Sequence, residues 1–295
     1  MKGRVITAYG RHFTVQLEDG SIRHSYMKGK KTGVCVGDYV RLALQGAEEA
    51  RIEEVLPREN LLYRSDEMRS KQFAANVNQL LIVIAVQPTF SDDLLSRALV
   101  GAWSAHIQPF ILLNKVDLVE DYPAAKERLK DYANLGVPII ETSTLNPEQL
   151  RAQLLPILEN KTSLLLGQSA MGKSSILNVI VPDAQAHTQE HSVALDAGKH
   201  TTTTTSLYAL PKIKGAIIDS PGFQSFGLRH LKAAEVVDGF PEFHDYLHLC
   251  KFYNCTHLHE PGCGVLQALK EGKISAKRHE MYERILNECM APEKY

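Results

Sequence analysis

Residues 167–175 read GQSAMGKSS. Gly167, four intervening residues, Gly172, Lys173 and Ser174 satisfy the phosphate-loop pattern G-x-x-x-x-G-K-[ST] in full. The glycines let the backbone curl, so that the N–H groups of Gln168, Ser169, Ala170, Met171 and onward to Ser175 turn toward phosphate oxygens. Lys173 supplies a point charge to the outer phosphates, and the Ser174 hydroxyl suits Mg²⁺. The flanks agree with this reading. SLLLG (163–167) is an apolar strand entering the loop, and KSSILNVIV (173–181) leaves it as a helix whose N-terminus favours anions.

A phosphate loop does not choose a base. NKVD, Asn114 to Asp117, follows the apolar run PFILL. Guanine offers an N1–H and an exocyclic amine side by side, and one carboxylate, Asp117, can accept from both. Asn114 can tie this loop to the phosphate loop, and the stem of Lys115 can lie along the base, with Val116 between them. Loops at the carboxyl ends of buried strands are where open α/β sheets bind ligands. ETSTLN (141–146) follows the next apolar strand and puts Ser143 where a loop would meet the guanine carbonyl. A Ser or Thr there also serves simply to cap the next helix.

DSPG, Asp219 to Gly222, ends the strand KGAIIDSPG. Asp219 can hold Mg²⁺ through water, and the Gly222 N–H can meet the γ-phosphate. Before it stands DAGKHTTTTTSLY, with threonines at 201–205. These read either as a strand of β-branched residues or as a switch loop, in which Thr201, Thr202 and Thr203 close over the nucleotide and Thr202 or Thr203 reaches the Mg²⁺.

The elements therefore run NKVD, ETS, phosphate loop, threonine loop, DSPG. The usual order starts at the phosphate loop and ends near the guanine loops. A site requires loops at strand ends, whereas chain order matters only for connecting them, and domain termini often lie close enough to rejoin. The order predicts a circularly permuted domain.

Around it, alternation changes character twice. Five short runs, RVITAYG, HFTVQL, SIRHSYM, DYVRLAL and ARIEEVL, occupy residues 4–56 and suit a small OB-type barrel over 1–65. SIRHSYMKGKK carries Arg23, Lys28, Lys30 and Lys31 without an acid. It reads as a solvated hairpin or as an RNA contact, with Tyr26 for stacking. Residues 57–75 are polar and mixed, and read as a linker. From 73 to 235, apolar strands alternate with amphipathic helices, which predicts a parallel sheet covered on both faces. Residues 236–295 mix His, Cys and aromatics, then end in a charged, helix-like run. The basic residues of that run, Lys270 to Arg278, fit an RNA contact or an ordinary solvated helix.

The chain has 295 residues, 44% apolar and 23% charged, with a net charge of −1. That balance excludes a global field drawing it to nucleic acid, though not a local patch. The longest apolar run, LLIVIAV (80–86), is too short to span a bilayer, and MKGRVITAYG lacks a signal-peptide core. No membrane or DNA partner is expected, and the expected compartment is the cytoplasm. Five cysteines fit no disulfide scaffold. Three of them crowd into CKFYNCTHLHEPGC, as Cys250-x4-Cys255, then His257 or His259, then Cys263. Three thiolates and an imidazole form a closed tetrahedral set suited to structural zinc.

The permuted domain, the barrel before it and the Cys/His segment after it together resemble the RsgA (YjeQ) family of ribosome small-subunit-dependent GTPases. The resemblance rests on Asn114 to Asp117, Gly167 to Ser175, GKHTTT at 198–203, Asp219 to Gly222 and C-x4-C-x-H-x5-C, and covers essentially the whole chain. It implies hydrolysis of GTP to GDP stimulated by the 30S subunit, a role late in small-subunit maturation, and contacts to 16S rRNA. It also implies a zinc ion, with His257 rather than His259 as the fourth ligand beside Cys250, Cys255 and Cys263. A monomer is expected. Mg²⁺ is expected at Ser174, Thr202 and Asp219. Phe223 takes the slot after the DSPG glycine where many GTPases keep a water-orienting Gln, so slow intrinsic turnover is expected. His200 is the internal candidate to orient the water, and Lys173 and Thr202 complete the expected catalytic set.

Overall fold

The computed structural model describes residues 1–27, 33–65, 70–182, 205–220 and 227–291. The five N-terminal runs are strands: β1 (Lys2–Tyr9), β2 (His12–Leu17), β3 (Ile22–Met27), β4 (Tyr39–Leu44) and β5 (Glu49–Val55). They pair in the order β1-β2-β3-β5-β4, and β4 returns to β1 with Gly3 opposite Val40, so the barrel closes. Alternation drives this. Along β2, Phe13, Val15 and Leu17 point inward, and they meet Val5, Val40, Leu42, Ala50 and Ile52 in a core of their own.

The expected linker at 57–75 is in part a hairpin, β6 (Leu61–Ser65) against β7 (Ser70–Ala75). Its polar, mixed-charge sequence hides the strands, because tertiary contacts fix them. Arg58 grips the fully buried Asp38 through two bonds, Nε to Oδ1 at 2.6 Å and Nη2 to Oδ2 at 2.7 Å. Val36 bridges to Ala74. Arg58 also donates from Nη1 to Gln72 Oε1 on β7 at 3.2 Å, so these contacts fasten the hairpin to the barrel.

The central sheet contains β8 (Gln79–Ala85), β9 (Gln108–Asn114), β10 (Ile139–Glu141), β11 (Thr162–Gly167), β12 (Thr205–Leu210) and β13 (Gly215–Asp219). Its order is β10-β9-β8-β11-β13-β12. All neighbours are parallel except β12, which runs antiparallel to β13. Every residue of β8 and β11 is buried, as a sheet covered on both faces requires. The helices are α1 (Asp92–Ser104), α2 (Tyr122–Ala133), α3 (Pro147–Leu158) and α4 (Lys173–Ile180).

The barrel and the central sheet are one continuous eleven-stranded sheet. Strand β1 pairs antiparallel with β12, Thr7 opposite Ser206 and Ala8 opposite Thr205. Arg4 reaches across to donate to Thr162 Oγ1 at 2.8 Å.

The C-terminal part is mostly helical: α5 (Ala233–Asp238), α6 (His244–Leu247), α7 (Gly264–Lys270) and α8 (Ala276–Met290). The charged run is thus two helices; Lys270 and Lys273 are exposed, and α8 buries one face. Arg278 is 1% exposed, and its guanidinium donates to Glu242 Oε1 (2.6 Å) and to Ser96 Oγ on α1 (3.1 Å). Lys277 pairs with Asp92 at 2.8 Å. Arg278 is buried against the central domain, while the half-buried Lys277 keeps its ammonium on Asp92. No helix among the described residues is long and apolar enough to cross a membrane.

Candidate functional site: a nucleotide cleft and a metal cluster

The phosphate loop runs from the end of β11 into α4. Two of its residues take the left-handed backbone, Ala170 at φ 65° and Gly172 at φ 91°. At Gly172 the need for glycine is double. A Cβ there would stand 2.2 Å from the Asn114 amide nitrogen, and L side chains are strained at that φ.

The NKVD loop lies directly against it. Asn114, fully buried at the end of β9, donates from Nδ2 to the Met171 carbonyl at 3.0 Å. Lys115 donates from Nζ to the Ala170 carbonyl at 2.8 Å. The ETS loop then braces NKVD. Val116 N–H donates to the Thr142 carbonyl at 3.3 Å, and the Ser143 hydroxyl donates to Asp117 Oδ1. Thus Ser143 fixes the Asp117 carboxylate. Sequence reasoning missed Thr142. It is 1% exposed, and its hydroxyl donates to Asn114 Oδ1 at 3.3 Å. The one signal for it is a small polar residue at the end of a buried strand.

Lys173 begins α4 and is buried. Its Nζ donates to Asp219 Oδ1 and to the Ser220 carbonyl, both at 2.6 Å. Burial pushes the Asp219 carboxyl up from its ordinary range, and the Lys173 charge opposes that. Ser220 is anchored in turn, its hydroxyl donating to the Leu165 carbonyl at 3.0 Å. Ser174 and Ser175 are exposed in the first turn of α4. Ser174 directly follows the lysine that Asp219 contacts. Gln168 is turned aside, since its Oε1 accepts from the Ser91 N–H at 3.0 Å and so holds the start of α1. His200, Thr201, Thr202, Thr203, Gly222 and Phe223 lie outside the described residues, as do Lys28, Lys30 and Lys31.

In the C-terminal part, Cys250, Cys255, His257 and Cys263 converge, with their donor atoms all within 4.8 Å of one another. Cys250 Sγ and Cys263 Sγ are 3.9 Å apart, and His257 Nδ1 is 3.6 and 3.4 Å from them. A tetrahedral ion with metal–sulfur bonds of about 2.3 Å places sulfurs about 3.8 Å apart, so the donor set fits such an ion. Backbone N–H groups of Gly264 and Leu266 donate to the Cys250 and Cys263 sulfurs, each at 3.4 Å. Burial pushes the Cys255 thiol up to about 12 and lowers His257. Metal binding would draw the protons off the thiols. His259 is exposed and lies outside the cluster.

Comparison with known proteins agrees with this geometry. The family model described as RsgA GTPase matches residues 55–229. The "Small ribosomal subunit biogenesis GTPase RsgA" of Bordetella pertussis (strain Tohama I) is 58% identical over 294 residues, covering 100% of this chain and 98% of that protein. The protein of the same name from Burkholderia pseudomallei (strain K96243) is 50% identical, over 98% of this chain and 92% of its own. Among solved structures, YjeQ from Thermotoga maritima superposes with a TM-score of 0.73 at 29% identity, covering 99% of both chains. YloQ, a circularly permuted GTPase, gives 0.70 at 28% identity, covering 100% of this chain and 96% of its own.

Proposed function

The chain belongs to the RsgA GTPase family, and we propose that it hydrolyses GTP to GDP and phosphate in the late maturation of the small ribosomal subunit. One observation carries the guanine reading. The loop with Asp117 is bonded to the phosphate loop through Asn114 and Lys115, so base and phosphates would be gripped by one surface.

In this reading, residues 167–175 cradle the phosphates with Lys173 as their cation. Asn114, Lys115, Val116, Asp117 and Ser143 read guanine. Ser174, Asp219 and Thr202 would hold Mg²⁺, which supplies charge neutralisation at the phosphate oxygens. Thr201, Thr203 and Gly222 would close over the γ-phosphate, with His200 orienting the attacking water. Because Phe223 cannot orient water, turnover is slow until the 30S subunit completes the site. The domains would divide at 1–65, 73–235 and 236–295. The barrel contacts 16S rRNA, the cysteine cluster holds one structural zinc, and the protein works as a monomer in the cytoplasm.

GTP turnover by the purified chain with no subunit, with 30S and with 50S tests this. Stimulation by 30S is expected. Binding without turnover under all three conditions would leave a nucleotide-gated RNA-binding scaffold instead. Stimulation by 50S alone would move the chain to the large subunit. Equal competition by adenine nucleotides would overturn the guanine assignment.

A further inference from the structure

The turn between the first two ligands of the metal cluster carries Lys251, Phe252, Tyr253 and Asn254, all exposed. Tyr253 is 102% exposed, Phe252 41% and neighbouring Leu249 58%. A ring in full contact with water contributes nothing to the core, and clustered exposed apolar groups mark interaction sites.

The turn is braced. Cys250 and Cys255 anchor its two ends in the cluster. Lys251 N–H donates to the Gly262 carbonyl at 2.9 Å, and Cys255 N–H to the Phe252 carbonyl at 3.3 Å. The rings are thus displayed on ordered backbone, so little ordering cost remains for binding.

Charge indicates what the rings meet. From Tyr246 through His259 there is no Asp or Glu, while His248, Lys251 and His259 are present and exposed. Lys251 Nζ lies 5.6 Å from the Phe252 ring centroid. The nearest following acid, Glu260, is turned into its own loop and accepts from the N–H groups of Thr256 (2.7 Å), Leu258 and His259 (both 3.2 Å). A fully exposed Tyr253 ring and a partly exposed Phe252 ring with a cation over it, with no acid along that stretch, suit a polymer of planar bases and phosphates. An apolar pocket on a protein would accept Leu249 and Phe252, but it would draw no advantage from the cation or the missing acids.

We propose that Tyr253 and Phe252 form a stacking site for an unpaired RNA base, with Lys251 at the adjoining phosphate. This rests on the reading that the chain works on the small subunit and names the chemistry of one contact. The tests use the full chain carrying Tyr253→Ala, Tyr253→Phe, Tyr253→Leu or Lys251→Ala. Affinity for 30S subunits is measured by sedimentation at several salt concentrations. Tyr253→Ala and Tyr253→Leu are expected to weaken binding about tenfold, while Tyr253→Phe preserves it, because a π-face is what stacks. Lys251→Ala is expected to flatten the salt dependence. Photo-crosslinking from position 253 is expected to mark RNA. Guanine-nucleotide affinity and metal content, unchanged in each variant, verify folding. Full binding by Tyr253→Ala, wild-type binding by Tyr253→Leu, or a crosslink to a ribosomal protein would overturn this inference alone. A wild-type chain that binds no 30S subunit would overturn the functional reading as well.

Discussion

Lys173 Nζ stands 2.6 Å from Asp219 Oδ1, with both side chains buried. In the proposed reading, the lysine that would meet phosphates is already bonded, and to the carboxylate that would hold Mg²⁺. Nucleotide would then compete with an internal anion. A hydrogen bond to a charged group contributes about 1.5–3 kcal/mol. Asp219→Asn should thus bind GDP roughly tenfold more tightly in EDTA, and the advantage should vanish once Mg²⁺ is added. Titration with a fluorescent GDP in both buffers reads this directly, and unchanged affinity in EDTA would refute the competition.

Gly172 and Asn114 are matched by shape. Gly172→Ala would drive a Cβ to 2.2 Å from the Asn114 amide and force a left-handed alanine. We expect it to part the phosphate loop from the NKVD loop and to abolish guanine-nucleotide binding, with the circular dichroism spectrum little altered. Calorimetric binding at wild-type strength would show that the loops are not coupled.

Asp117 is held by the Ser143 hydroxyl, which leaves the carboxylate aimed by a neighbour and not merely by its own rotamer. Asp117→Asn replaces an acceptor by a donor. Xanthine presents an oxygen where guanine has its amine, so the variant should come to prefer xanthosine over guanosine nucleotides. Competition binding checks the exchange. Ser143→Ala should weaken guanine binding without that reversal.

Arg278 joins the C-terminal helices to the central domain. Its guanidinium stacks 4.6 Å from the Phe240 ring centroid while bonding Glu242 and Ser96. Removing one partner of a buried ion pair costs about 3 kcal/mol, because Glu242 is left without its cation. Arg278→Ala should lower stability by about that amount in urea unfolding. A loss below 1 kcal/mol would make the pair ornamental.

The metal loop also depends on Glu260. Burial opposes its ionisation, but the Thr256 hydroxyl and the backbone donors outweigh this and hold the carboxyl well below its ordinary 4.5. A depressed carboxyl stabilises the folded loop above that value, and the contribution is lost as pH falls below it. Acid also returns protons to the thiols, which weakens metal binding in the same direction. Metal release followed with a chromogenic chelator should therefore begin at higher pH in Glu260→Gln than in wild type. Coincident release curves would remove Glu260 from the account. Stripping the metal at neutral pH should loosen residues 250–263, seen as faster amide exchange there, while guanine-nucleotide binding persists.

The chemistry of this protein is written locally. GQSAMGKS, NKVD and the spacing of Cys250, Cys255 and Cys263 each need residues only a few positions apart, since one loop presents them together. Barrel strands and covered strands are legible for a similar reason: a period of two, or an unbroken apolar run, states which faces are buried. Tertiary structure decided what joins distant segments. The pairing of β1 with β12 unites residues about two hundred positions apart. Strands β6 and β7 are held by Val36, which bridges Ala74, and by Arg58, which bonds both Asp38 and Gln72. Arg278 reads as a surface cation until α1 is laid against it. Burial of a charge and pairing of a sheet edge depend on partners that no short window of sequence contains.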